Sequence, residues 1–116
     1  MEISEITVEE LAKKLKSQDQ FILLDVREPL ELEQAKITDA RLEVAPMSRL
    51  AREGIKAFSE SARSKDTEIY VICHHGSRSM QVTGWLASQG WMNVHNVSGG
   101  IDEFARKIDP RIEIYY

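Results

Sequence analysis

The sequence predicts an α/β fold: an open parallel sheet with helices on both faces. Three observations carry that expectation. Short apolar runs at Phe21–Val26, Glu68–Ile72 and Val94–Val97 have the length and β-branched content of buried strands. Between them, apolar residues recur at helical spacing. The two patterns alternate through most of the chain, and parallel strands joined by right-handed helical crossovers are the arrangement that such alternation favours. The 116 residues suffice to bury one core without disulfides or metal, so a single domain over 1–116 is expected.

Taken in order, Ile3 to Ile6 reads as a short edge strand. Thr7-Val8-Glu9-Glu10 has the form of a capping box, and Val8, Leu11, Ala12 and Leu15 then predict a helix over Val8 to Lys16. Phe21 to Val26 is a continuous apolar run that places Asp25 near the C-terminal end of a central strand. Pro29 suits the first turn of a short helix over Leu30 to Gln34. Arg41 to Val44 predicts another strand, stopped by Pro46. Ser48 is the expected cap of a helix with Leu50, Ala51, Ile55 and Phe58 on one face. A polar stretch, Glu60 to Thr67, leads into the strand Glu68 to Ile72. A helix over Arg78 to Ser88 turns Val82, Trp85 and Leu86 to the core and stops at Gln89-Gly90. Val94 to Val97 is a strand, Ser98-Gly99-Gly100 a turn, and Asp102 to Ile108 a last helix ended by Pro110. Ile112, Ile114 and Tyr116 alternate, as in an added strand or a surface tail.

Composition narrows the function. Fifteen Lys and Arg against nineteen Asp and Glu give a net charge of −4, which argues against a general nucleic-acid binder. No apolar run approaches the roughly 20 residues that span a bilayer. The opening Met-Glu-Ile-Ser-Glu lacks the basic start and apolar stretch of a secretory signal. One cysteine cannot form an internal disulfide, so a reducing cytoplasm is the expected location. No repeat or low-complexity linker is present.

That cysteine lies in the most informative segment, Ile69-Tyr-Val-Ile-Cys-His-His-Gly-Ser-Arg-Ser79. A buried strand delivers Cys73 into a short loop that contains Gly76 and closes on Arg78, where a helical pattern begins. In parallel sheets such strand ends form the binding crevice. Unpaired N–H groups at the helix start, with His74, His75 and Arg78 as nearby cationic groups, favour the thiolate of a cysteine so placed. Inward-facing amides make an anion cradle. From Cys73 to Arg78 the loop has six residues, a ring that suits one sulfur atom better than a tetrahedral phosphate.

Cys73-His74-His75-Gly76-Ser77-Arg78-Ser79 resembles the active-site loop of a single-domain rhodanese, a sulfurtransferase. The resemblance continues through Leu24-Asp25-Val26-Arg27-Glu28, Leu86 with Gly90, and Val97-Ser98-Gly99-Gly100, and covers Ile3 to Asp109. It implies a two-step transfer. Cys73 attacks the outer sulfur of a donor such as thiosulfate and becomes a persulfide; cyanide or a thiol, on a small molecule or a protein, then takes the sulfur. It implies that the backbone of His74, His75, Gly76, Ser77 and Arg78 binds the substrate sulfur, with Arg78 adding charge, and that no metal or organic cofactor is needed. Two departures stand out. Lys36-Ile37-Thr38-Asp39-Ala40 replaces a His-Ile-x-Gly-Ala stretch, and Phe104 stands where many relatives carry tryptophan.

Plainer readings accompany each residue. Structural cysteines lack electropositive settings, and inactive rhodanese-like modules usually lose the cysteine, which is retained here. His74 and His75 are read mainly as exposed residues that tune charge; a zinc site from Cys73, His74, His75 and His95 is disfavoured because adjacent residues rarely converge on one ion. Asp25 and Arg27 are assigned a supporting ion pair. Trp85 is core, and Glu28, Glu31 and Glu33 a solvated face. The rival functions are a cysteine-loop phosphatase or arsenate reductase, and a module that relays sulfur within an assembly or only docks a partner.

Overall fold

The computed structural model describes residues 2–116. Five parallel strands form one sheet: β1 (Glu5–Ile6), β2 (Ile22–Asp25), β3 (Leu42–Val44), β4 (Ile69–Ile72) and β5 (Val94–Val97). Their order is β1-β5-β4-β2-β3, with β4 central. Asp25 pairs in register with Ile72, so the ends of β2 and β4 lie level. The connection from β2 to β3 runs toward one edge and that from β4 to β5 toward the other. The chain therefore reverses its direction of travel at the β2–β4 junction, where open α/β sheets form their crevice.

Alternate residues of each strand serve opposite faces. Leu24, Val71 and Ile69 join Leu50, Phe58, Val82, Leu86 and Trp91 in one core layer. Leu23, Tyr70, Ile72 and Val97 join Val8, Leu11, Ile101 and Phe104 in the other. Helices α1 (Val8–Lys16) and α6 (Gly100–Lys107) cover the second face. Helices α3 (Met47–Glu53), α4 (Glu60–Arg63) and α5 (Ser77–Ser88) cover the first. Helix α2 (Pro29–Gln34) is short and buries none of its residues fully.

The capping box of α1 forms as its sequence dictates, with Glu10 N–H donating to Thr7 Oγ1 and Thr7 N–H to Glu10 Oε1. Gly90, at a φ of 103°, is the left-handed stop after α5. Ser48 departs from expectation. Pro46 occupies the cap of α3, and Ser48 lies inside the helix with its N–H (3.1 Å) and hydroxyl (2.6 Å) donated to Glu28. A carboxylate from the β2–α2 turn thus does the capping, because it can reach an orphan amide at the helix start that Ser48 itself occupies. Helix α3 ends at Glu53, and a 3-10 turn over Gly54–Ala57 carries the chain on. The polar stretch after it contains α4, capped by Ser59. Trp85 is half-buried at the edge of its core layer, while Trp91 is buried and donates Nε1–H to the Ala62 carbonyl at 2.9 Å. The C-terminal tail adds no strand. Ile112 and Tyr115 instead lean against the second core layer.

Candidate active site at the C-terminal ends of β2 and β4

Cys73 follows the last residue of β4, and α5 begins at Ser77. Only His74, His75 and Gly76 separate them. So tight a turn needs a residue with positive φ, and Gly76 supplies it at 108°. A Cβ there would also stand 3.3 Å from the Gly99 nitrogen. The turn aims two amides at the sulfur: Gly76 N–H at 3.1 Å and Ser79 N–H at 3.3 Å. Ser79 Oγ stands 3.2 Å from the same Sγ. The thiol is 1% exposed and sits at the floor of the loop, with aliphatic neighbours behind it and hydrogen-bond donors around it.

The other side of the loop is fixed by α6. Ile101 N–H donates to the Cys73 carbonyl at 2.9 Å and Asp102 N–H to the His74 carbonyl at 3.0 Å. Spending those carbonyls on a helix N-terminus turns them away from the thiol and leaves amides facing it. This contact needs Gly100, at a φ of 62°, because a Cβ there would lie 2.5 Å from both carbonyl oxygens. The double glycine is thus a close approach of backbone to backbone as well as a turn.

Asp25 and Arg27 form a buried pair at the neighbouring strand end. Arg27 Nε lies 2.9 Å from Asp25 Oδ1, and Nη2 2.8 Å from Oδ2. Arg27 Nη1 also donates to the Glu31 carbonyl at 3.3 Å and to Tyr115 Oη at 3.1 Å. Burial opposes the guanidinium charge, but Asp25 and Tyr115 outweigh it and hold its pKa above the usual arginine value. With no exposure of its own, Arg27 ties β2, α2 and the C-terminal tail together beneath the loop.

Arg78 lies on the first turn of α5 and pairs with Glu31 Oε1 at 3.0 Å. Burial works against its charge, and the Glu31 carboxylate, with a smaller contribution from Cys73, raises its pKa nonetheless. Glu31 belongs to the group expected to be a solvated face; the fold instead turns it toward the site. Glu28 likewise is held by Ser48, which pulls its pKa below the ordinary carboxylate range against the effect of burial. His74 is buried rather than exposed. It stacks on Tyr115 with ring centroids 3.9 Å apart, and its Nε2 is 2.8 Å from the Tyr115 carbonyl. Burial and the adjacent His75 push its pKa below 6.5, against the pull of the Tyr115 carbonyl, Asp102 and Glu31. His75 and Ser77 are exposed at the rim.

His95 points elsewhere, between Ser4 and Asn93, so it takes no part in a metal set with Cys73. Among the described residues, His74, His75 and Asp102 do bring one ligand atom each within 4.8 Å of one another. A cleft of about 1010 Å³ lies at the opposite, N-terminal ends of the strands, where Asp19, Arg41 and Glu68 line it. At the loop, by contrast, two amides converge on the Cys73 sulfur.

Three partners of the site were not singled out from sequence. Ser79 touches the sulfur twice. Asn96 on β5 accepts from Ser79 Oγ through Oδ1 and is buried. Tyr115 braces His74 and Arg27. A helical pattern marks Ser79 and a strand pattern marks Asn96, but neither pattern says that they meet.

The Rhodanese-like domain family matches residues 7–107, and the chain belongs to it. A sulfurtransferase of Allochromatium vinosum is 34% identical over 90% of this chain and 90% of its own length. A rhodanese-like/PpiC domain-containing protein of Arabidopsis thaliana, described as chloroplastic, is 39% identical over 97% of this chain, which spans only 38% of that relative. The crystal structure of a rhodanese-related protein from Thermoplasma volcanium superposes with a TM-score of 0.74 at 31% identity, covering 97% of this chain and 99% of that one. Among the described residues, no helix is long and apolar enough to cross a membrane.

Proposed function

We propose that the protein is a sulfurtransferase that carries a sulfane sulfur on Cys73. The observation that carries this reading is the convergence of the Gly76 and Ser79 amides on one sulfur atom. Those donors stabilise negative charge on sulfur in a site that excludes water, where fixed dipoles act most strongly. Only three residues separate Cys73 from α5, which leaves room for a sulfur atom rather than a phosphoryl group.

With thiosulfate as donor, the Cys73 thiolate attacks the outer sulfur. The new S–S bond forms as the old one breaks, and its electron pair leaves with sulfite. The persulfide anion then stands within reach of the loop amides. Attack by an acceptor thiolate on the outer sulfur returns the Cys73 thiolate and yields the acceptor's persulfide; cyanide in the same role yields thiocyanate. The one proton of Ser79 Oγ goes to Asn96 Oδ1, so the hydroxyl accepts from the resting thiol, and the two amides are the donors that hold the thiolate. Gly76 and Ser79 are the anion holders, Arg78 and the exposed His75 and Ser77 shape the rim, and His74, Asp25 and Arg27 support it. No metal or organic cofactor has a step in this scheme. The partners are a small sulfur donor and a thiophilic acceptor, small molecule or protein, and neither nucleic acid nor membrane has a role. Because Cys73 must be reduced to act, a reducing compartment such as the cytoplasm suits the reaction.

Intact mass spectrometry tests this directly. Incubation with excess thiosulfate adds the mass of one sulfur atom, cyanide removes it, and Cys73→Ser shows neither change. An unmodified native protein after incubation would refute the assignment, and turnover of an aryl phosphate instead would favour the phosphatase class.

A further inference from the structure

We propose that Glu31 is a specificity-determining residue that sets the charge of the loop mouth against doubly charged sulfur donors and in favour of less charged persulfides, such as that of cysteine. This inference rests on the sulfurtransferase reading.

Arg27 has no exposure and is consumed by Asp25. Arg78, the cation at the mouth, is paired with Glu31 Oε1 at 3.0 Å. On α6, Arg106 is paired with Asp102 at 3.0 Å and Lys107 with Glu103 at 3.7 Å. Glu28 is bound by Ser48 and feels Arg78 and Arg52 only at longer range. His74 is held toward its neutral form. His75 is the remaining titratable side chain on the loop, and it is exposed to solvent. The mouth therefore offers an anion backbone dipoles but no spare side-chain cation on these elements. Glu31 is the member of this set that decides the balance, because its carboxylate is the one in direct ion-pair contact with Arg78.

Its second oxygen strengthens the effect. Glu31 Oε2 is shielded from water and, among the described residues, has no hydrogen-bond partner. An oxygen without a donor leaves the carboxylate with Arg78 as its one side-chain partner, and its field acts on its surroundings through a medium less polar than water. The same carboxylate influences His74 and Tyr115, which border the loop. Thiosulfate brings two negative charges past it. A persulfide RSSH brings at most one at its reacting end. Its transfer is balanced without further reagents: the Cys73 thiolate attacks the terminal sulfur of RSSH, the S–S bond to R breaks, RS⁻ departs with the electron pair, and the proton stays on the transferred sulfur.

The test compares rates of Cys73 persulfide formation with thiosulfate and with cysteine persulfide, read by quenched intact mass. Native protein is expected to load faster from cysteine persulfide. Glu31→Gln keeps the shape and removes the charge. It should raise the thiosulfate rate on the order of tenfold, as expected for one charge removed several ångström from a dianion, and change the other rate by less than about twofold. Glu31→Asp should keep the native ratio. A ratio unchanged in Glu31→Gln, or both rates moving together, would overturn the inference while leaving sulfur transfer intact. If neither donor loads the native protein, both readings fall. A measurement on native protein alone serves should the variant not fold. Raising salt from about 20 to about 300 mM should not slow loading from thiosulfate, whereas a steep fall would reveal a positive mouth and refute the proposal.

Discussion

Replacing Gly100 with alanine is expected to damage the loop from behind, without touching the thiol. The added Cβ would lie 2.5 Å from the carbonyl oxygens of Cys73 and His74 and 2.6 Å from the His74 carbonyl carbon. These are backbone atoms and cannot swing aside, so α6 must retreat. Retreat stretches the bonds from Ile101 N–H and Asp102 N–H to those carbonyls, now 2.9 and 3.0 Å. Each is worth about 0.5–1.5 kcal/mol net. Holding a non-glycine residue at a φ of 62° adds roughly 1–2 kcal/mol. The total is about 2–5 kcal/mol, a large share of the roughly 5–15 kcal/mol that keeps an ordinary domain folded. Gly90→Ala is the control. It also has positive φ, at 103°, but its added Cβ would meet only the flexible end of Lys65. Urea unfolding of the two variants separates the backbone cost from the lost contact, and persulfide loading of the folded fraction reports loop geometry. Should Gly100→Ala lose no more stability than Gly90→Ala and load sulfur at the native rate, the claim that α6 sets the loop would be wrong.

Two further outcomes follow from the same geometry. Ser79→Ala removes the hydroxyl from Sγ and deprives the buried Asn96 oxygen of its donor, so it should cost about 1–3 kcal/mol in urea unfolding and slow sulfur loading; native-like values in both would exclude Ser79 from the site. The imidazoles predict an acid limb. His74 and His95 both have folded-state pKa values below 6.5, with burial as the leading cause, joined for His74 by His75. The unfolded chain therefore binds protons first as pH falls through that value, and the stability held above it drains away below it. The urea midpoint should drop between about pH 7.5 and about pH 5.5, and a His74→Gln, His95→Gln double variant should flatten that drop. An equal drop in the double variant would place its origin in other groups.

The architecture, and the position of Cys73 at a strand end, are legible in the residue order alone. Apolar runs of strand length alternating with helical periodicity leave few arrangements besides a parallel sheet, and the order of the motifs puts Cys73 at a strand end before a helix. The capping box at Thr7 and the stop at Gly90 were legible for the same reason: each depends on residues a few positions apart. The rest depends on residues far apart in the chain that meet only once the elements pack. Glu28 takes the capping work expected of Ser48 because β2 and α3 meet in space. Glu31 faces Arg78, forty-seven positions later, and leaves the solvated face that its neighbours suggested. Tyr115 comes back from the tail to cover His74 and hold Arg27. Asn96 reaches Ser79 only because β5 lies beside β4. Local periodicity records which face of an element is apolar. It carries no record of which polar side chains two elements present to each other once packed, and the charge and orientation of this loop's surroundings are set there.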